Sequence, residues 1–258
     1  MRLRSVSVRS LKRKMSLLTV TDLHVNYGKF KAVKGVSFNL NKGEIVGIVG
    51  QSGSGKSTIA KTLVGIEKKS AGEITVSAKS IQMVFQDAVG SLNPRMTIRA
   101  TLNEVIRHGK GVERSNEPIE ERITRLLSYV GLSDAVLNQY PREMSGGQCQ
   151  RVSIARALAF NPDVLIADEP VSALDVSVQA KVLNLLRELR DSQNLSILII
   201  AHDLAVVKNI CDRVYVMHKG LFVDEGKSEE VFTNPKSEYT KALIAAVPDV
   251  ERSLNARK

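Results

Sequence analysis

No stretch of this chain approaches the roughly 18 consecutive apolar residues that a membrane helix needs. The longest apolar run, near Leu195–Ala201, suits a buried strand, so the chain is not read as membrane-spanning. Cysteine is scarce. Cys149 and Cys211 are the only two among 258 residues, too few for a disulfide framework, and they read as small apolar residues of a reducing compartment. Glycine (17) and proline (7) are not in excess, while 43% hydrophobic and 25% charged residues are ordinary globular values. Collagen, wholesale disorder and coiled coil are thereby excluded. There is no internal repeat and no low-complexity tract. The length allows one large domain or two small lobes around a sizeable core.

Acidic residues are missing from the first fourteen positions, which carry Arg2, Arg4, Arg9, Lys12, Arg13 and Lys14. These six account for much of the formal charge of +10, and the rest of the chain is only mildly basic. The high charge is therefore weak support for nucleic-acid binding. The stretch has no apolar core of a secretory signal. It reads as a disordered tail, or as an over-extended start with translation beginning at Met15. The other reading is an arm for a membrane surface or an anionic partner.

Alternating apolar residues at Leu18–Asn26 and Ala32–Leu40 predict antiparallel strands, and Asn41-Lys42-Gly43 predicts a turn. Glu44–Val49 is a nearly continuous apolar run, as in a strand buried on both faces. A Gly/Ser-rich segment follows, and then Ile59, Leu63 and Ile66 recur at helical spacing. Glu73–Ser77 and Ile81–Gln86 read as strands. From 87 to about 160 the periods are helical, with Gly109 and Gly111 marking a flexible connection. The clearest helix there has Asn116 as its predicted N-cap and Gly131 as its stop. Strands return at Val164–Ala167, Ser196–Ile200, Arg213–His218 and Leu221–Asp224, with a helix at Val176–Ser192 and a tight turn at Lys219-Gly220. Alternating strand and helix predicts a parallel sheet with crossover helices.

Three segments carry chemistry. Gly50-Gln51-Ser52-Gly53-Ser54-Gly55-Lys56-Ser57 fits G-x-x-x-x-G-K-[ST] between a strand and a helix. Its glycines let the backbone curl so that N–H groups face phosphates, and the following helix adds its positive end. Lys56 can reach the β- and γ-phosphates, and Ser57 offers a hydroxyl to Mg²⁺. Val164-Leu165-Ile166-Ala167-Asp168-Glu169 is an apolar strand ending in two acids. Asp168 is the candidate Mg²⁺ ligand, and Glu169 is the candidate base that orients and deprotonates water. Met144-Ser145-Gly146-Gly147-Gln148 precedes an amphipathic helix and forms a second anion-binding helix start, a weak signal on its own.

In combination these motifs resemble the ATP-binding subunits of ABC transporters over residues 16–247. The resemblance rests on Gly50–Ser57, Gln86 in Val84-Phe85-Gln86, Ser145–Gln148, Asp168-Glu169, Ser172-Ala173-Leu174-Asp175 and His202, in the family's order. Met144 stands where Leu is commoner. The resemblance implies an α/β fold: a P-loop NTPase core with a RecA-like parallel sheet, an N-terminal antiparallel β subdomain and an α-helical subdomain (87–160) inserted in the core. Residues 1–15 and 248–258 would flank the domain as a basic extension and a short tail. ATP and Mg²⁺ are the implied ligands. Tyr27 would stack on adenine. Gly50, Gln51, Ser52, Gly53, Ser54, Gly55, Lys56, Ser57 and Thr58 would hold phosphates. Ser57, Gln86 and Asp168 would serve the metal, and Glu169, His202 and Gln86 would serve catalysis. Ser145, Gly146, Gly147, Gln148 and Asp175 would act across a head-to-tail dimer in which two ATPs are buried. His24, His108 and His218 match no motif.

A Ser91-Leu92-Asn93-Pro94-Arg95 segment, and Asn234–Ile244 followed by Ala246-Val247-Pro248, resemble the oligopeptide/dipeptide/nickel importer class. This implies a second ATPase subunit (a related chain, or a copy of this one), two membrane permeases and an extracytoplasmic substrate-binding protein, with the ATPase peripheral on the cytoplasmic face of the membrane. The cargo would be peptides, nickel or metal chelates. With no cysteine after Cys211, no iron–sulfur cluster is expected. Nucleic acid is not an expected partner. The competing reading, a soluble ABC-type ATPase acting on nucleic acid, lacks a coiled-coil insertion or zinc-cysteine spacing. A P-loop kinase or small GTPase is disfavoured by Ser145–Gln148 and His202.

Overall fold

The computed structural model describes residues 15–109, 111–112 and 116–246. The basic stretch before Met15, and Val247, Pro248 and the tail beyond, lie outside the described residues. Two sheets organise the chain. The first is antiparallel, with strand order β2-β1-β4, built from β1 (Ser16–Tyr27), β2 (Phe30–Asn41) and β4 (Ala71–Val76). The second has six strands in the order β5-β6-β7-β3-β8-β9: β3 (Ile45–Val49), β5 (Ile81–Val84), β6 (Val164–Asp168), β7 (Ser196–Ala201), β8 (Arg213–His218) and β9 (Leu221–Lys227). All neighbours in it are parallel except β9, which returns antiparallel to β8 through Lys219-Gly220. Both turn residues have positive φ (48° and 87°), the backbone of a two-residue hairpin that matches strand twist.

The central strands are buried on both faces, and alternate side chains feed different cores. Ile45 and Val49 join Ile197 and Ile199 in one cluster. Val46 and Ile48 join Leu198, Ile200 and the inner face of the antiparallel sheet in another. This alternation explains why β3, β6 and β7 read as continuous apolar runs, since neither face is left to water.

Helix α1 (Lys56–Leu63) follows β3 directly. It ends earlier than the apolar spacing suggested, and Ile66 is exposed beyond it. Gly65 takes φ 76°, its N–H meets Thr62 O and the Ile66 N–H meets Lys61 O. This Schellman closure satisfies the last carbonyls and stops the helix. Between β5 and β6 come α2 (Ile98–His108), α3 (Ile119–Tyr129), two short 3₁₀ turns and α4 (Gly146–Leu158), with no strand among the described residues. Pro118, not Asn116, caps α3. Its ψ of 137° keeps it extended, so the helical turn begins only at Ile119, out of Asn116's reach. Gly131 (φ 64°) closes α3 by the same Schellman pattern, with Leu132 N bonded to Leu127 O. The remaining helices are α5 (Val176–Gln193), α6 (Leu204–Ile210), α7 (Ser228–Thr233) and α8 (Glu238–Ala245). Among the described residues, no helix is long and apolar enough to cross a membrane.

Candidate functional site

The glycine loop joins β3, in the middle of the large sheet, to the N-terminus of α1. Gly50, Gly53 and Gly55 all have positive φ (154°, 78° and 110°). Two of them also permit close approaches. A Cβ at Gly50 would lie 2.1 Å from Met217 O, and one at Gly55 would lie 2.5 Å from Ala32 O. Any side chain at either place would collide with backbone, so the loop can curl this tightly only with glycine. The Ser54 hydroxyl is buried here without a hydrogen-bond partner, while Gln51 and Ser52 are exposed. Lys56 is 4% exposed and its Nζ donates to Gly50 O (2.7 Å) and Gln51 O (3.0 Å). Burial lowers its pKa, and the nearby charges of Glu169 and Asp168 oppose that shift. An ammonium held on two carbonyls in a low-dielectric pocket is poised to turn toward phosphate. Thr58 lies in the first turn of α1, and its carbonyl accepts from the Thr62 hydroxyl.

The two acids at the end of β6 diverge. Asp168 is buried, and its Oδ1 accepts from Ser57 Oγ at 3.0 Å, across from β6 to the start of α1. Burial raises its pKa, the Ser57 bond and the Lys61 and Lys56 charges lower it, and the neighbouring Glu169 charge adds to the rise. Glu169 leaves the strand with φ 47°, a left-handed conformation unusual for a side-chain-bearing residue, fixed by its N–H donating to Ile200 O (2.8 Å). Its carboxylate receives Gln86 Nε2 at 2.8 Å and lies 3.1 Å from His202 Nδ1. Both partners meet the same oxygen, Oε2. The structure thus brings Gln86, Glu169 and His202 into contact, and brings Ser57 to Asp168.

Tyr27, half exposed at the end of β1, pairs with Phe30 across a turn at Gly28 (φ 59°). It shares this hairpin with Ala32, whose carbonyl lies against Gly55. Ser145 caps α4 in a capping box. Its Oγ accepts from Gln148 N (3.2 Å), and its own N–H donates to Gln148 Oε1 (2.9 Å). Gly146 faces Leu174, and a Cβ on Gly147 would lie only 2.3 Å from Val178 Cγ1. The start of α4 is thus seated on the start of α5. Asp175 caps α5, with Oδ1 accepting from Val178 N (2.9 Å) and Ser177 Oγ (2.8 Å). These bonds hold its carboxyl below the usual range. A cleft of about 390 Å³ lies between these parts, lined by Gln86, Ala88, Gly146, Gln150, Glu169 and Leu174 among others.

Two connections around these parts carry no sequence signal. Arg156 on α4 donates from Nη1 to Ser91 O (2.6 Å) and from Nη2 to Ser91 Oγ (3.3 Å), and the Ser91 hydroxyl also meets Ser153 Oγ at 3.2 Å. The segment after Gln86 is thereby pinned to the helix that Ser145 begins. The Gln51 N–H donates to Tyr239 Oη on α8 at 3.2 Å.

The oxygen set around Ser57 and Asp168 suits a hard divalent ion such as Mg²⁺, which takes few protein ligands and relies on phosphate oxygens and water for the rest. Among the described residues, no group of three or more His, Cys, Asp or Glu could enclose a metal by itself. A hydroxyl paired with one buried carboxylate fits an ion that arrives with its nucleotide.

Comparisons with known proteins give the family. The sequence matches the ABC transporter family over residues 33–172. It is 44% identical to the oligopeptide transport ATP-binding protein OppF of Salmonella typhimurium, covering 94% of this chain and 82% of that protein. It is 45% identical to the OppF of Lactococcus lactis, covering 94% and 84%. Among solved structures, cbiO1 from Clostridium perfringens, part of the ABC transporter complex cbiONQ, superposes with a TM-score of 0.77 at 28% identity, covering 94% of this chain and 100% of that one. The dimeric post-hydrolysis state of the ATP-binding cassette MJ0796, bound to ADP and Pi, superposes with a TM-score of 0.72 at 29% identity, covering 82% and 98%. The chain belongs to the ABC transporter family and is one of its ATP-hydrolysing, ATP-binding subunits.

Proposed function

We propose that this chain energises the uptake of oligopeptides, as the ATP-hydrolysing subunit of an importer. The observation that carries the catalytic part is the Glu169 carboxylate braced at one oxygen by Gln86 and His202, at 2.8 and 3.1 Å. The brace leaves Oε1 to accept a proton from water, so Glu169 is the general base and the other two are its orienting partners. Lys56, Ser57 and the loop amides hold the triphosphate. A bound Mg²⁺, held by Ser57 and Asp168 with Gln86 close by, would neutralise phosphate charge. Tyr27, on the hairpin that meets Gly55, is placed to stack on the base.

The Ser145–Gln148 helix tip and Asp175 are assigned to a companion subunit's nucleotide. The tip presents the positive end of α4, whose own contacts run to Leu174 and Val178. Two such tips closing on two triphosphates would neutralise charge from both sides and exclude water. The γ-phosphate contacts favour the closed dimer, and hydrolysis removes them. In this reading residues 16–247 form the ATPase domain, with 87–160 as its helical subdomain. The turn at Asn93–Met96 lies beside the Ser91–Arg156 clamp and receives the permease, so permease motion and helix-tip position are linked mechanically. The partners are a second ATPase subunit, two permeases and an extracytoplasmic binding protein, with this chain peripheral at the cytoplasmic face.

Peptide cargo is favoured over nickel or metal chelates by the OppF relatives at 44% and 45% identity. The test is uptake into vesicles carrying the assembled transporter, with labelled tripeptide and radioactive nickel offered in parallel. ATP-dependent tripeptide accumulation, lost on Lys56→Ala, is expected. Accumulation of nickel alone would overturn the cargo assignment.

A further inference from the structure

The segment Asn234–Ile244 resembles a transporter class, yet nothing in the site's chemistry so far uses it. Its Tyr239, on α8, ends at the phosphate loop although 188 positions separate it from Gln51. The Tyr239 oxygen accepts from the Gln51 N–H at 3.2 Å, and the ring lies on His218 with centroids 3.9 Å apart and planes tilted by 33°. His218 is the last residue of β8, and the turn that follows donates Gly220 N to Ser54 O at 3.0 Å. The base of the helix is fixed as well. Asp224 Oδ2 accepts from Lys236 N (2.7 Å) and Ser237 N (3.2 Å), and Ser237 Oγ caps α8 by accepting from Thr240 N. The phenol is therefore delivered by an anchored helix, not by a free tail.

Consider what holds the Gly50–Gln51 shoulder of the loop. Its two carbonyls are occupied by Lys56 Nζ, and Gln51 O also accepts from Ser54 N at 3.2 Å. On the reading of Gly50–Ser57 as the phosphate site, an entering triphosphate competes with both carbonyls for the Lys56 ammonium. The bond from Gln51 N–H to Tyr239 points away from Lys56's partners and does not depend on it. It keeps the shoulder in its curled shape at the moment when the lysine lets go.

We propose that Tyr239 is a positioning residue for nucleotide binding: its phenol oxygen holds the Gln51 N–H, so that the phosphate loop keeps its curled form while Lys56 transfers to the phosphates. The proposal rests on the reading of Gly50–Ser57 as the phosphate site. Tyr239 touches no phosphate itself. Its effect is on the population of the binding-competent loop, so it acts on affinity more than on the chemical step.

The experiment compares Tyr239→Phe, Tyr239→Ala and Lys56→Ala in the full chain. A fluorescent ATP analogue reports affinity, and steady-state hydrolysis gives kcat and KM. Tyr239→Phe keeps the ring on His218 and deletes only the oxygen. It is expected to weaken nucleotide affinity and raise KM about fivefold, the scale of one neutral hydrogen bond, with kcat within twofold of wild type and thermal stability of the empty protein nearly unchanged. Hydrogen exchange of the peptide carrying the Gln51 amide should quicken in the nucleotide-bound protein. Tyr239→Ala should lose affinity at least as much and melt earlier. Wild-type KM and exchange in Tyr239→Phe would overturn the proposal, whatever Tyr239→Ala does, because then only the ring matters. Lys56→Ala separates the two levels. Retained nucleotide binding in that variant would sink the phosphate-site reading itself, whereas its loss beside a normal Tyr239→Phe would sink the tyrosine proposal alone.

Discussion

Replacing Glu169 by Gln is the sharpest test of the catalytic assignment, because the structure allows the change with little disturbance. The side chain is only 10% exposed and its Oε2 is held by Gln86 Nε2 and faced by His202 Nδ1. A glutamine amide can keep one such acceptor contact and stay in place, so volume and packing are conserved. What it loses is the capacity to take a proton. General-base assistance is worth roughly 10²–10⁴-fold, so hydrolysis should fall at least a hundredfold, or about 2.7 kcal/mol of barrier. ATP binding should survive, since Lys56, Ser57 and the loop amides are untouched.

A second consequence follows from charge. The Glu169 carboxylate opposes the burial-driven drop in the Lys56 pKa and adds to the rise at Asp168. Its neutralisation therefore lowers both pKa values, toward the ordinary carboxyl range for Asp168 and further from the ordinary ammonium range for Lys56. The assay is single-turnover hydrolysis beside size measurement in ATP. Glu169→Gln should accumulate as an ATP-bound dimer that does not turn over. Near-normal turnover would refute the assignment of the base. Lost ATP binding would refute the claim that Lys56, Ser57 and the loop amides are untouched by the substitution.

Three further outcomes follow. Gly147→Ala places a methyl 2.3 Å from Val178 Cγ1 and should cost about 1–3 kcal/mol by overpacking; calorimetry should show a lowered Tm that Gly147→Ala combined with Val178→Ala restores, and an unchanged Tm in the single variant would show that α4 and α5 are not rigidly seated. Asp168 has a raised folded-state pKa, so the unliganded protein loses stability as pH rises from the ordinary carboxyl value of 3.8 through the folded one; Asp168→Asn, which keeps the Ser57 contact, should be the more thermostable empty protein at pH 7, by a margin that shrinks toward pH 4, while losing hydrolysis, and a lower Tm at pH 7 would contradict this. Arg95→Glu, on the exposed turn closed by Arg95 N to Asn93 Oδ1 at 3.0 Å, should cut transport severalfold in the assembled complex with ATP hydrolysis by the isolated chain intact; normal transport would remove this turn from the coupling path.

The parts of the site that sequence exposes are those whose chemistry depends on residue type at short spacing. Gly50, Gly53 and Gly55 are legible because their φ values admit little else, and the strand Val164–Asp168 is legible because both its faces are buried. The parts it hides are contacts made by common residues far apart in the chain. Nothing about an arginine on a helix announces the Arg156–Ser91 clamp, which spans 65 positions, and nothing about a tyrosine announces its bond to Gln51. The same limit moved the start of α3, where the extended backbone at Pro118 decided the boundary against a plausible Asn116 cap.

The pair Asp168-Glu169 shows how far the two levels differ. Two adjacent acids at a strand end normally point to opposite faces, and the sequence alone does not say what each one meets. Here the chain leaves β6 through a left-handed Glu169, with φ 47°, locked by the bond from its N–H to Ile200 O on the neighbouring strand. Asp168 keeps its strand geometry and is directed to Ser57, whereas Glu169 is swung out to Gln86 and His202. Such a conformation costs of order 1–3 kcal/mol in a side-chain-bearing residue and persists only where neighbours enforce it. Glycine at 169 would relieve the strain but remove the carboxylate. The strain is thus the means by which consecutive carboxylates are held apart, one beside the loop hydroxyl and one against Gln86 and His202.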